Sequence, residues 1–198
     1  MKIIKNKDFL KIPCKPCVNM ERNNEISAVL LSSLKEFGGV GLACNQIGIN
    51  DVCVCVINVK DPIVLINPKI TKKSEEKVIY AEQCLSIPGK LVSTIRHTSI
   101  TVTADNLANE RTFSRDFELT HDNAVKDQGL LECVCVQHEI DHLNGKLIID
   151  KDVRFVMEVR SKIKFGRNDK VLIQKDDETK QIKYKTLYEH EEQGWKMI

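Results

Sequence analysis

Nowhere does the chain carry an apolar run near the roughly 20 residues that a membrane-spanning helix requires. Charge of one sign is scarce too. Thirty Lys and Arg against 28 Asp and Glu leave a net charge of +2, no broad basic field for gripping nucleic acid. Nine glycines and five prolines among 198 residues, with 42% hydrophobic and 29% charged side chains, exclude a fibrous repeat or a disordered chain. Residues 1–13 alternate charged and apolar side chains and lack the continuous core of a signal peptide. A cytoplasmic protein is expected, with neither a membrane nor a specific nucleic-acid sequence as partner. Its length suits one domain with a short appendage.

What the chain does have is eight cysteines. It is long enough, and rich enough in Ile, Leu and Val, to fold without disulfide staples, so reduced thiols are expected. Cys53 and Cys55 alternate with valines and read as small buried hydrophobes. Cys14-Lys-Pro-Cys17 has the spacing of a redox or zinc half-site, but no matching second pair or thioredoxin-like setting accompanies it.

Apolar positions in 24–37 recur at helical spacing, with Asn23 or Asn24 as N-cap and Gly38-Gly39 as the stop. A glycine-punctuated loop follows. Short strands are expected at 52–57, 63–66, 78–80, 91–95, 99–104 and 111–113, with a turn at 105–110. Residues 129–145 read as a mostly apolar helix ending at Gly145, on which Leu131, Cys135, His138 and His142 form one stripe. A helix apolar on several sides belongs inside a fold. The expected class is therefore α+β, with β-sheets wrapped around a central helix. A further helix is expected at 153–163, and a hairpin from 170–174 and 182–186 around a charged turn. The predicted domains are 1–164 and a C-terminal extension, 165–198.

His138-Glu139-Ile140-Asp141-His142 carries the clearest chemistry. Histidines at i and i+4 stand about 5–6 Å apart at Cβ, close enough to share one metal ion. Glu139, offset by one residue, is placed to act as general base on a water at that ion. Two structural histidines in a buried helix are the plain alternative. A third ligand must come from elsewhere. Downstream only His190 offers an imidazole. Upstream, Cys84 lies in a tight segment bounded by Pro88-Gly89, and a thiolate with two imidazoles leaves a fourth position open. Counting cysteines does not single out Cys84 from the other seven.

GVGLACNQIG (39–48), EQCLSIPG (82–89) and QHEIDHLNG (137–145) resemble, in order, the three signature motifs of the peptide deformylase family, and the likeness covers about residues 1–160. The resemblance implies removal of the formyl group from the N-terminal formylmethionine of nascent polypeptides. The charge-rich tail reads as a solvated face, with docking on an acidic partner such as the ribosome as the alternative. By motif matching, Cys84, His138 and His142 hold the metal, whose activated water is the nucleophile, and Glu139 is the general acid and base. Gln46 and the Leu85 N–H bind the oxyanion. Val40 and Gly41 pair with the substrate backbone, while Val134 and Cys135 line the methionine pocket. Ligand type alone favours Zn²⁺. The resemblance points to Fe²⁺, with Ni²⁺ or Co²⁺ as active substitutes, and iron is the expected ion.

Three positions depart from the family pattern. Gln83 replaces the glycine before the cysteine, Cys44-Asn45 replaces a frequent Ala-Pro, and Leu91 stands where many relatives have a basic residue. Glu82 and Arg96 are expected to pair and hold the cysteine loop. His97, His121 and His190 are expected to face solvent. Two rival functions are a catalytically silent homologue that only binds formyl-Met peptides or the ribosome, and a metallopeptidase cutting internal bonds. A dinucleotide-binding reading of the glycine-rich loop fails, because the third glycine and the preceding strand are both missing.

Overall fold

The computed structural model describes residues 1–116, 118–119, 125–150, 152–153, 168, 170–176, 178–191 and 193–197. Two compact units divide it, Met1–Val156 and Met157–Ile198.

The first unit begins with a short helix, α1 (Lys7–Leu10), capped by the Asn6 side chain. Helix α2 (Met20–Phe37) follows and packs Ile26, Leu30 and Leu34 inward. It starts a turn earlier than its apolar spacing indicates. Its N-cap is Asn19, whose side chain accepts from Arg22 N–H at 3.1 Å, while Asn23 lies buried inside the helix with Nδ2 donating to Cys17 O at 2.7 Å. Gly38 ends it in the left-handed region at φ 72°, as a C-terminal glycine should.

Strand β1 (Gly41–Ala43) then runs into a single 3-10 turn, Cys44–Ile47. Strands β2 (Val54–Asn58) and β3 (Pro62–Ile66) complete an antiparallel sheet in the order β1-β2-β3. Strand β4 (Lys69–Lys73) follows. Next come β5 (Lys77–Cys84) and β6 (Ile87–His97), a long hairpin closed by a tight turn at Leu85 and Ser86. Strands β7 (Ser99–Thr103) and β8 (Arg111–Ser114) join β4 in a third sheet, ordered β4-β7-β8. A two-residue ladder, β9 (Glu118–Leu119) with β10 (Val125–Lys126), leads into helix α3 (Gln128–Leu143).

Asp127 caps α3 by accepting from Leu130 N–H at 2.8 Å. Thirteen of its sixteen residues are buried. A helix so enclosed must be covered on most sides, and strands do this: Cys133, Val136 and Ile140 join a core that includes Leu42, Val54, Val56, Ile100 and Phe113. The wrapped-helix α+β architecture expected from the sequence is what forms. Beyond Val153, the helix expected at 153–163 lies outside the described residues.

The second unit contains β11 (Lys170–Lys175) and β12 (Glu178–Lys183), then helix α4 (Leu187–Glu191) and β13 (Lys196–Met197), in a sheet ordered β12-β11-β13. Its small core is Val171, Ile173 and Leu187, with Ile182 and Trp195 against it. The hairpin is tighter than expected. The second strand ends at Lys183, and residues 184–186 form a 3-10 turn instead of continuing it, because β12 pairs in full register from Glu178 to Lys183 and so starts earlier. No helix among the described residues is long and apolar enough to cross a membrane.

Candidate metal centre and cleft

The hairpin β5–β6 and helix α3 bring the site together. Along β5, alternation puts Glu82 and Cys84 on one face, and both are buried although their neighbours are exposed. Along α3, His138 and His142 share a face one turn apart, with ring centroids at 4.9 Å. The ligand atoms of Cys84, His138 and His142 all lie within 4.8 Å of one another, and Cys84 Sγ is 3.2 Å from His142 Nε2. A soft sulfur and two imidazole nitrogens converging at this separation fit one divalent ion.

The surrounding bonds orient the ligands. Burial alone would push the Glu82 carboxyl up, but the bonds from His138 and Arg96 outweigh it and hold it down at about 2. The ionised carboxylate accepts from His138 Nδ1–H at 2.6 Å, which turns Nε2 toward Cys84. Arg96 grips Glu82 with two donors, Nε to Oε1 at 2.6 Å and Nη2 to Oε2 at 3.1 Å. The Glu82–Arg96 pair expected from the sequence is therefore present, and it is larger than expected. Thr94 Oγ1 also donates to Glu82, and Arg96 Nη1 donates to Asp141 Oδ2 at 2.5 Å. Sequence reading missed both residues. Strand parity two residues before Arg96 marks Thr94, and the i+3 position after His138 marks Asp141.

Replacing Glu82 by Gln is expected to weaken metal binding about 10–100-fold, since the His138 ring loses its charged anchor. Chelator competition on the purified protein would read this directly, and unchanged affinity would remove Glu82 from that role.

Glu139 sits beside the ligands with a different environment. Burial pushes its carboxyl up to about 7, against the opposing pull of His138. Its Oε2 is buried without a hydrogen-bond partner. An unpartnered buried carboxylate oxygen is costly, and here it adjoins the one group of side chains, among the described residues, that could hold a metal ion. Burial also lowers the His142 ring, with the His138 charge adding to the effect, so the neutral form is favoured.

Gln46 belongs to the turn after β1. Its Oε1 accepts from Ala43 N–H at 2.8 Å, which fixes the amide and directs Nε2 toward Ser86 Oγ at 3.3 Å and Cys84 Sγ at 3.7 Å. Asn45 next to it donates to His142 O at 2.6 Å, tying the turn to α3.

A cleft of about 540 Å³ opens onto these groups. The ten residues singled out from the sequence divide cleanly. Val40, Gly41, Gln46, Cys84, Leu85, Val134, Cys135, His138 and Glu139 line the cleft, and His142 lies beneath it against Cys84. Strand β1 pairs only with β2 among the described residues, so its other edge has no strand partner there, and Val40 and Gly41 line the cleft. Gly41 lets α3 pack closely against β1. A Cβ there would collide with Glu139 Oε1 and come within 2.6 Å of Cys135 Sγ. Tyr80 and Leu131 add walls that sequence reading did not assign, and Leu91, singled out as a departure from the family pattern, lines the cleft too. Gln83 lines the cleft from an exposed position where the β5–β6 register breaks between Glu82 and Cys84.

Two expectations need correction. His97 is not free in solvent: its Nδ1 bonds to Ser74 O at 2.7 Å and its backbone N–H donates to Gln137. His190 is likewise partly buried, with Nδ1 bonded to Thr186 O at 2.7 Å. His121 lies outside the described residues. All eight cysteines are free thiols.

The chain is similar to known proteins. The model of one family, described as polypeptide deformylase, matches residues 1–157. A peptide deformylase of Rhizobium meliloti is 40% identical over 128 residues, covering 61% of this chain and 66% of that protein. One from Prochlorococcus marinus is 35% identical over 158 residues, covering 77% of this chain and 73% of that protein. The chain thus spans about two thirds to three quarters of the length of these relatives. The crystal structure of a Synechococcus elongatus peptide deformylase in complex with actinonin superimposes with a TM-score of 0.61 at 31% identity, covering 76% of each chain.

Proposed function

The chain belongs to the polypeptide deformylase family, and from that premise we propose that it hydrolyses the N-terminal formyl group of newly made polypeptides, releasing formate. The observation that carries the reading is the convergence of Cys84, His138 and His142 beside a buried carboxylate with an unpartnered oxygen. Those three residues would hold the ion, which we take to be Fe²⁺ on the family resemblance, with Zn²⁺, Ni²⁺ or Co²⁺ as alternative occupants of a purified sample. When bound, such an ion supplies a water of lowered pKa and polarises a carbonyl oxygen.

The chain's own groups then divide the work. An incoming peptide adds as a strand along the free edge of β1, its backbone meeting Val40 and Gly41. Its methionine side chain lies against Val134 and Cys135, one turn before His138 and Glu139. Gln46 Nε2 and the Leu85 N–H donate to the formyl oxygen as negative charge gathers there; each such donor lowers the barrier by about 3–4 kcal/mol. Glu139 takes a proton from the attacking water and passes it to the departing amine. Burial raises this carboxyl, and a bound cation would favour the ionised form that accepts the proton. Formylated chains emerge in the cytoplasm, and the ribosome that carries them is the corresponding partner.

The deciding assay gives the metal-loaded protein formyl-Met-Ala-Ser and acetyl-Met-Ala-Ser under anaerobic conditions. Formate release from the first, with the second left intact, is the expected outcome. Binding without release would identify a silent homologue, and cleavage within the peptide would identify a peptidase.

A further inference from the structure

The proposed chemistry leaves two buried thiols unused, and they meet each other. Cys14 and Cys44, thirty residues apart in sequence, bring their Sγ atoms to 3.6 Å inside the core. Both backbones are fixed. Cys14 N–H donates to Leu143 O at 2.8 Å, and the next residue, Lys15, donates to Asn50 O at 3.0 Å. Cys44 opens the 3-10 turn; its carbonyl accepts from Ile49 N–H at 3.1 Å and its sulfur contacts Val52 O at 3.2 Å. Neighbouring segments therefore hold the pair together. Cys17, the partner suggested by the Cys14-Lys-Pro-Cys17 spacing, instead turns its sulfur to Asn19 O at 4.0 Å. The Cys14–Cys44 contact is the one sulfur–sulfur hydrogen bond found among the described residues.

An S–S bond is about 2.05 Å long, so the two sulfurs need to approach by only about 1.5 Å, within reach of small side-chain rotations. We propose that Cys14 and Cys44 form an oxidation site, at which a peroxide closes a disulfide between the N-terminal arm and the turn that carries Gln46. Access to the pair is from the Cys14 side. Cys14 retains 8% of its surface and lies between exposed Pro13 and Lys15, whereas Cys44 retains none. One of the two sulfurs attacks the peroxide and becomes a sulfenic acid as one water leaves. The other sulfur then displaces the second water and forms the S–S bond. Two thiols and one hydrogen peroxide thus yield one disulfide and two waters, and a dithiol reductant reverses the product. Neither sulfur belongs to the metal-holding group, so the site stands apart from the proposed hydrolysis.

The test uses the full metal-loaded chain, treated with a few equivalents of hydrogen peroxide, alkylated, and digested without reduction. Mass spectrometry should find the peptide containing Cys14 joined to the one containing Cys44, two hydrogens lighter than their sum. Dithiothreitol should remove the link, and Cys14→Ser and Cys44→Ser should each lack it. Closing this loop should also raise Tm by about 5 °C in the oxidised wild type relative to the reduced. The wild-type peptide map decides the matter even where a variant folds poorly. Alkylation of both residues after peroxide, a link to a third cysteine, or a link that lowers Tm would each overturn the assignment.

Discussion

Glu139→Gln should retain its metal and its fold while losing about 10²–10⁴-fold in kcat. The side chains are nearly isosteric, so the introduced amide fills the same space against Gly41. What the substitution removes is the ability to accept and return a proton. The position is enclosed, so little water can take over. In the absence of an ion the Glu139 carboxyl sits at about 7, raised chiefly by burial; a divalent charge nearby favours its ionised, proton-accepting form. Metal content measured by elemental analysis, thermal denaturation and steady-state kinetics separate the possibilities. A parallel loss of metal would make Glu139 a structural support, and near-normal turnover would assign the proton transfer to another group.

The parts of this site that were legible in the sequence share a property: their chemistry is local. His138, Glu139 and His142 lie within one turn of helix, so spacing alone places them side by side, and the structure keeps that arrangement. Cys84 is different. It reaches His142 across 58 residues, and contacts closed over such a distance leave no periodic mark; only the resemblance of ordered motifs selected it from eight cysteines. The same holds for Asn45, whose bond to His142 O spans 97 residues. Strand limits failed for another reason. Pro88-Gly89 reads as the end of a loop, yet Gly89 lies within β6 at φ 73°. Glycine's tolerance of that conformation lets the strand run through a break in its pairing, so a five-residue expectation became an eleven-residue strand. Helix α2 begins early because Met20, Glu21 and Arg22 are not part of the apolar stripe, and three asparagines near its start leave the capping one, Asn19, unmarked by spacing.

Cys84→Ala tests the convergence itself. Structural sites with four protein ligands bind zinc with roughly 10–16 kcal/mol, about 2.5–4 kcal/mol for each ligand, so losing the sulfur should weaken metal binding on the order of 10²–10³-fold. Two imidazoles on one helix remain, a pair that alone satisfies only half a tetrahedral ion. Activity should fall to background at metal concentrations that saturate the wild type. The fold should survive, because Cys84 belongs to a small cluster with Leu10, Ile87, Leu147 and Ile148, where a Cys-to-Ala change removes one sulfur atom. Glu82 stays bound to Arg96 and Thr94 regardless. His138 therefore keeps its orientation, and the loss is confined to the ligand. Isothermal titration with Ni²⁺ or Co²⁺ (both stable in air) measures the affinity, and circular dichroism monitors the fold. Wild-type affinity in a folded Cys84→Ala protein would mean that the sulfur holds no metal and that the proposed centre is wrongly composed.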